Sequence, residues 1–390
     1  MLALLSQVSI NTLSQAIEGV SAWLRIWPIA VEATNAKPEK EDDAHLNFTA
    51  RQLGNDREPK DLDTLNTPAG RLVGVFLTAC PPLDRGLQPF ADGSVVRQMR
   101  DAIEACSGQS DLIAKHRMIE GIDYFVRADA AWAQSHLIAP LQRTDTASLP
   151  LWRALARRTR FCKILEIIGE MMTERAVDFR LGRETRRSLV FSLVIETLHA
   201  FKDNRQPKVE NSKILQMLRN LDDELRGYAA NAIQQFVRDH STRQEVEDKV
   251  FDPAQLFRSA AAPFLKQVWP LERSLASPSV SSAFVDLPVT SGEAFADAVS
   301  AIERFLMPFD CWSMVNYGLY GEENGVKKIA FIDTQPKAKA FLHLLDLTVG
   351  NSERSVVPND LASALDQIKL IDGSLTETPA FRRLSASARR

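Results

Sequence analysis

The chain has 390 residues, 45% of them apolar and 25% charged, with a formal net charge of -3 at pH 7. That is ample material for an ordinary packed core, spread over two or three domains or one long repeat array. The near-neutral balance excludes a global electrostatic pull toward nucleic acid or anionic membrane.

The N-terminal stretch MLALLSQVSINTLSQ has apolar residues at helical spacing, broken by Gln, Ser and Asn. It has no basic leader and no small-residue cleavage site, so it is not read as a signal peptide. Leu13, Ile17, Val20 and Leu24 recur three or four apart and predict one or two helices. Trp27-Pro28 is expected to end or bend them, because proline disfavours the helical conformation of its predecessor. Residues 1–31 are thus an N-terminal helical segment.

Residues 32–65 carry KPEKEDD and GNDREPKDLD, which are charged and poor in large apolar groups. They read as an exposed linker or long loop, with an acidic docking segment as the alternative. Order resumes at LNTPAGRLVGVFLTAC, where Thr67 suits an N-cap and Pro68 the first helical position. Further helices are predicted at 92–107, 110–127, 130–138, 148–158, 160–179, 183–202, 211–219, 221–239, 253–267, 291–305, 336–348 and 358–371. Asp111 and Asp252 stand at N-cap positions, Pro253 follows Asp252, and Ser291, Gly292 and Glu293 suit a helix start. The strand signals are few: KKIAFID behind the turn EENG, with MVNYGLYG as its hairpin partner.

These elements predict a mostly α fold, an irregular helical-repeat (HEAT-like) array with one small β-hairpin near the C-terminus. Its parts are 1–31, the linker 32–65, a helical-repeat region 66–250 and a C-terminal helical domain 251–390. WLRIWPIAVEA and FLKQVWPLERS echo one another, each placing Trp-Pro at the end of an apolar helix. In the second, Phe257, Ala261, Phe264 and Val268 share a face, and Trp269 covers the last turn before Pro270 stops it. No apolar run approaches the roughly 18 residues of a membrane span. Cys80, Cys106, Cys162 and Cys311 form no CxxC pair and read as reduced, mostly buried thiols of a cytoplasmic protein.

Reaction chemistry is hard to find. The phosphate-cradling GxxxxGK[ST], the dinucleotide GxGxxG, HExxH, paired Cys/His ligand spacings and GxSxG are all absent from the sequence. His199 and His343 lie on leucine- and phenylalanine-rich segments, where a packed ring is the usual role. EVEDK at 245–249 has metal-site residue types on an ordinary charged stretch. Ser279, Ser281 and Ser282 have no His or Lys nearby in sequence. No catalytic residue, cofactor or metal is assigned.

Two basic concentrations remain, RALARRTRFCK and FRLGRETRR. Arg153, Arg157, Arg158, Arg160, Arg183, Arg186 and Arg187 are the candidate anion-binding residues, set against ordinary solvated arginines paired with Glu166, Glu170, Glu174 and Glu184. No aromatics interleave them as in a single-strand binder. Trp269 is a further candidate anchor, with Trp132, Trp152 and Trp312, wherever one is exposed.

PFLKQVWPLERSLASPSVSSAF, SGEAFADAVSAIERFLMPFD, PKAKAFLHLLDLTVG and VPNDLASALDQI resemble the C-terminal helical region of large bacterial defence proteins of the defence-associated sirtuin-like NADase type. LNTPAGRLVGVFL, RADAAWAQSHLIAPLQ and LWRAL are similar to the helical segments that precede it, so the resemblance covers roughly residues 60–390. It implies an antiphage role in which a helical region senses a phage-derived protein and regulates an NAD-consuming effector. The matched motifs concern packing, and the sirtuin-type glycine-rich motif and Asn/His pattern are missing, so no site residue carries over.

The expected function is therefore a non-catalytic helical scaffold or sensor that docks a protein partner, either a phage-derived trigger or an NADase effector domain, with homo-oligomers possible and no membrane involved. The alternatives are a nucleic-acid-binding module using residues 153–187, or an enzyme with its site near residues 317–333.

Overall fold

The computed structural model of the chain describes residues 17–36, 61–83, 88–157, 162–242, 252–323, 325–352 and 354–389. Arg158, Arg160, the EVEDK segment and most of the charged 32–65 stretch lie outside them. The fold is mostly α, as expected. The described residues fall into two compact units, one drawn from Met1–Met171 and Asp178–Leu189, the other from Met172–Val177 and Val190–Arg390.

The first unit is built on α1 (Ile17–Asn35), α2 (Pro68–Ala79), α3 (Val95–Glu104), α4 (Gln109–Ile119), α5 (Ile122–Ala128) and α6 (Ser148–Ala156). Helix α1 does not end at Trp27-Pro28, one of the two outcomes expected there: it continues past Pro28 to Asn35. The reason is its buried stripe of Val20, Trp23, Trp27, Ala30 and Thr34, which keeps helical spacing on both sides of the proline. Trp23 and Trp27 stack with ring centroids 5.1 Å apart. Their indole N–H groups donate to the carbonyls of Leu72 (3.0 Å) and Ala102 (2.9 Å), tying α1 to α2 and α3. Burying each indole contributes roughly 4 kcal/mol before entropy, enough to offset the hydrogen bond that Pro28 removes.

Thr67 caps α2 by accepting from Gly70 N at 3.2 Å, with Pro68 in the first turn, as the sequence predicts. Asp111, by contrast, is inside the first turn of α4, whose N-cap is Gly108 at φ 73°. Gly121 divides the predicted 110–127 helix into α4 and α5. On α3, Arg100 is buried with its guanidinium over the rings of Phe90 (4.6 Å) and Trp132 (4.7 Å) and an ion pair to Asp129 at 2.8 Å. Helices α7 (Cys162–Ala176) and α8 (Arg183–Lys202) each contribute residues to both units.

The second unit continues with α9 (Asn211–Asn220), α10 (Asp223–Thr242), the helical run 253–267 ending in α11 (Ala262–Gln267), α12 (Pro278–Phe284), α13 (Phe295–Ile302), α14 (Gln335–Thr348), α15 (Leu361–Ile371) and α16 (Pro379–Ser387). The expected hairpin shrinks to β1 (Glu322–Glu323) and β2 (Val326–Lys327), antiparallel with Glu322 opposite Lys327. Met314–Tyr317 and Lys328–Phe331 are 3-10 turns instead of strands. Two residues per strand is all a hairpin sustains here without a third strand, and Gly318 and Gly321, at φ 72° and 87°, turn the chain before pairing can extend.

Candidate binding groove at the Trp-Pro corner

The helical run 253–267 starts as predicted, with Asp252 accepting from Ala254 N at 3.3 Å and Pro253 in the first turn. A π turn at Phe257–Ala261 widens it midway. Phe257, Ala260, Ala261, Phe264 and Leu265 are buried. At its end the Phe264 carbonyl accepts from both Val268 N (2.8 Å) and Trp269 N (3.0 Å), and Pro270 has no N–H with which to continue. Trp269 turns inward, 2% exposed, with its ring centroid 4.9 Å from that of Phe284 and 6.0 Å from that of Phe305.

The serines that follow have structural work. Ser277 caps α12 by accepting from Val280 N at 3.3 Å. Ser281 is fully buried and accepts from Met307 N at 2.9 Å. Ser279 meets Gly227 of α10 closely enough that a Cβ on that glycine would stand 2.3 Å from its hydroxyl. Ser291 does not cap the next turn; its hydroxyl donates back to the Leu287 carbonyl at 2.7 Å.

Because the corner leaves α11 abruptly, it opens a groove against α9. The cavity is about 370 Å³ and is lined by Leu215, Arg219, Lys266, Gln267, Trp269, Leu271 and Glu272. That volume suits a small ligand or one or two anchoring side chains. Leu215, Trp269 and Leu271 supply its apolar lining. Leu271 is 49% exposed, an apolar side chain left in water beside the opening. Arg219 and Glu272 close part of the rim at 2.5 Å. The Glu272 backbone N–H and the Arg219 guanidinium together hold that carboxyl below the usual carboxylate range. The lining contains no His, Cys, Ser or Tyr, and its carboxylate is committed to Arg219. These residue types can hold and orient a ligand; they offer no nucleophile with a partner base.

The sequence-predicted residues are placed as follows. Trp269 is buried, yet forms part of this groove. Arg153 is 6% exposed, inside the first unit, because it belongs to the buried face of α6. Arg157 is exposed and bonded to Asp61 and, at 3.2 Å, to Glu120. The same carboxylates flank His116, whose Nε2 lies 3.1 Å from Asp61 Oδ1. Burial pushes that imidazole below its ordinary value, against the upward pull of Glu120. Arg187 pairs with Glu184 at 2.7 Å, and neither Arg183 nor Arg186 is without a partner. The described arginines are thus dispersed among buried and ion-paired settings. Trp132 and Trp152 are buried, and of the six tryptophans only Trp312 is exposed, at 69%.

Around residues 317–333 the structure brings together one lysine and two carboxylates. Lys337 Nζ contacts Glu293 at 2.9 Å and Asp333 at 3.0 Å, 4.1 Å from the centroid of the Phe331 ring. Burial alone would lower its pKa, but the two carboxylates outweigh it and hold the ammonium above the ordinary lysine range. That is a clamp on the start of α14, opposite in sign to what a nucleophilic lysine needs. Among the described residues no three His, Cys, Asp or Glu side chains are grouped to hold a metal, and no helix is long and apolar enough to cross a membrane.

No family model matches the chain. No curated protein and no solved structure matches it either. The groove therefore has to be read from its own residues. Lys266 to Glu272 lie in FLKQVWPLERS, a stretch the sequence itself marks by its Trp-Pro pair, whereas Leu215 and Arg219 lie outside it. Their i,i+4 spacing on α9 marks a shared face. Nothing local to α9 shows that this face meets a corner fifty residues later.

Proposed function

We propose that the chain is a non-catalytic helical scaffold that recognises a protein partner, with the Trp269 groove as a docking point. The observation that carries this reading is the groove itself: an apolar cavity of about 370 Å³ beside an exposed leucine, with a charged rim. Buried aromatic floors ringed by polar residues are what anchoring side chains of a partner fill. The resemblance of residues 60–390 to the helical regions of sirtuin-like NADase defence proteins supports placing that partner in antiphage defence. In this proposal the chain senses a phage-derived protein and regulates an NAD-consuming effector supplied in trans or by a further domain.

The test is made in host cells carrying the chain with its neighbouring genes. Infection should lower cellular NAD and plaque counts with the wild-type chain. Leu271→Glu, which places a charge at an exposed position, should lose both effects while the protein still accumulates. If deleting the chain changes neither NAD nor plaque count, the defence reading is wrong. If Leu271→Glu protects fully, the groove is not the docking point.

A further inference from the structure

We infer that the Trp269 groove takes a carboxylate-bearing apolar segment of a partner protein, its C-terminal residue, with the carboxylate accepting from the Trp269 indole N–H and balanced by Lys266. The inference rests on the reading of the groove as a docking site and specifies its occupant. Five tryptophans are buried. Four donate their indole N–H within the chain: Trp23 to Leu72 O, Trp27 to Ala102 O, Trp132 to Glu104 Oε2 at 2.9 Å and Trp152 to Leu141 O at 3.0 Å. Trp269 is the exception. No acceptor among the described residues receives its N–H, although the residue is 2% exposed and lines the cavity. Nor is that nitrogen among the polar atoms sealed off from solvent, so what accessibility the ring has includes its donor. That donor is left to water, and a ligand acceptor in the groove would take the water's place.

Charge points the same way. Arg219 has its counter-ion in Glu272, whereas Lys266, exposed on the last turn of α11, makes no ion pair among the described residues. The groove thus presents one unmatched cation and one unmatched donor around an apolar floor, with the Gln267 amide beside them. An acceptor that carries negative charge satisfies both at once, and a charged acceptor makes the stronger hydrogen bond. A C-terminal residue joins an apolar side chain and a carboxylate at one carbon, which fits a cavity of about 370 Å³ that must hold both. An uncharged apolar side chain would fill the floor and leave the indole and the ammonium unanswered.

The experiment uses the full chain with 15N-labelled tryptophan, the Trp269 indole signal being the one missing from Trp269→Phe. The probes are N-acetyl-Gly-Ser-Gly-Leu as the free acid, the same peptide as its C-terminal amide, and hexanoate. The free acid should shift the Trp269 indole signal and bind on the order of tenfold more tightly than the amide, the usual weight of a charge-assisted hydrogen bond. Lys266→Gln, a surface change that leaves the fold intact, should reduce free-acid binding to the level of the amide. Equal binding of acid and amide, or no shift of the Trp269 signal by any probe, overturns the inference. Hexanoate binding more tightly than the peptide also overturns it, since the cavity would then be a small-molecule site. Failure here with the Leu271→Glu phenotype intact removes only the carboxylate occupant; loss of that phenotype test removes the docking reading itself.

Discussion

Gly227 of α10 and Ser279 of α12 are in such close approach that a Cβ on the glycine would lie 2.3 Å from the serine hydroxyl and 3.0 Å from its carbonyl oxygen. Gly227 sits in an ordinary helix, so its role is space and not backbone freedom. The absence of a side chain is what lets α12 settle on α10 directly after the Trp-Pro corner. Gly227→Ala should destabilise the second unit by about 1–3 kcal/mol, the usual cost of overpacking. Adding Ser279→Ala should recover part of that loss and leave the remainder, because the backbone carbonyl stays. Urea midpoints of the three variants decide it, and a Gly227→Ala midpoint equal to wild type would contradict the packing.

Pro28 lies inside α1 and is exposed. It lacks the N–H that would reach the Leu24 carbonyl, so the helix carries a defect on its solvent side. Pro28→Ala restores the bond and should raise stability by about 1–2 kcal/mol, the gain being trimmed by the added freedom of the unfolded chain. Thermal unfolding followed by circular dichroism measures it. A lower melting temperature would mean that the proline is needed where it stands.

These two positions also mark what the sequence disclosed and what it hid. Helix α8 was legible to the residue at both ends, and caps at Thr67 and Asp252 were legible because a cap with proline after it is a local signal. Pro28 misled because a proline's local preference was given more weight than a buried stripe that crosses it. The short helix α12 falls in the gap between the predicted helices 253–267 and 291–305, because its serines, which pack against a glycine and a backbone N–H, set up no apolar period. Half of the groove was visible, since Lys266 to Glu272 are contiguous. The half on α9, and the missing acceptor of Trp269, exist only once the chain has folded.

Burial pushes the Cys80 thiol up to about 12 and those of Cys106 and Cys311 up to about 11. The carboxylate of Asp111 adds to the rise at Cys106, whereas the neighbouring Tyr124 hydroxyl offsets part of it at Cys80. At pH 7.5 the thiolate fraction of each is negligible. Peptide-level mass spectrometry should therefore find these three cysteines at least tenfold slower to react with iodoacetamide in the native chain than in urea. Native reactivity like that in urea at any of the three would show that its burial is wrong.

His199 on α8 packs edge-on against Phe236, with ring centroids 5.0 Å apart, and 5.1 Å from the His240 ring. Burial is the largest cause that lowers its pKa from 6.5 to about 4; His240 and Lys202 add to the effect, while Asp203 and Glu196 oppose it. The folded value lies below the unfolded one, so the unfolded state binds more protons between them. Stability is then fully present above pH 6.5 and is lost as pH falls toward 4. The loss from this one group should reach about 2 kcal/mol by pH 5. His116 is shifted in the same direction and contributes in the same window, so the wild-type slope alone is not diagnostic. The comparison is wild type against His199→Gln, in urea, at pH 7 and pH 5. The variant retains His116 and should lose about 2 kcal/mol less over that interval. Equal losses in the two proteins would place His199 in water rather than against Phe236.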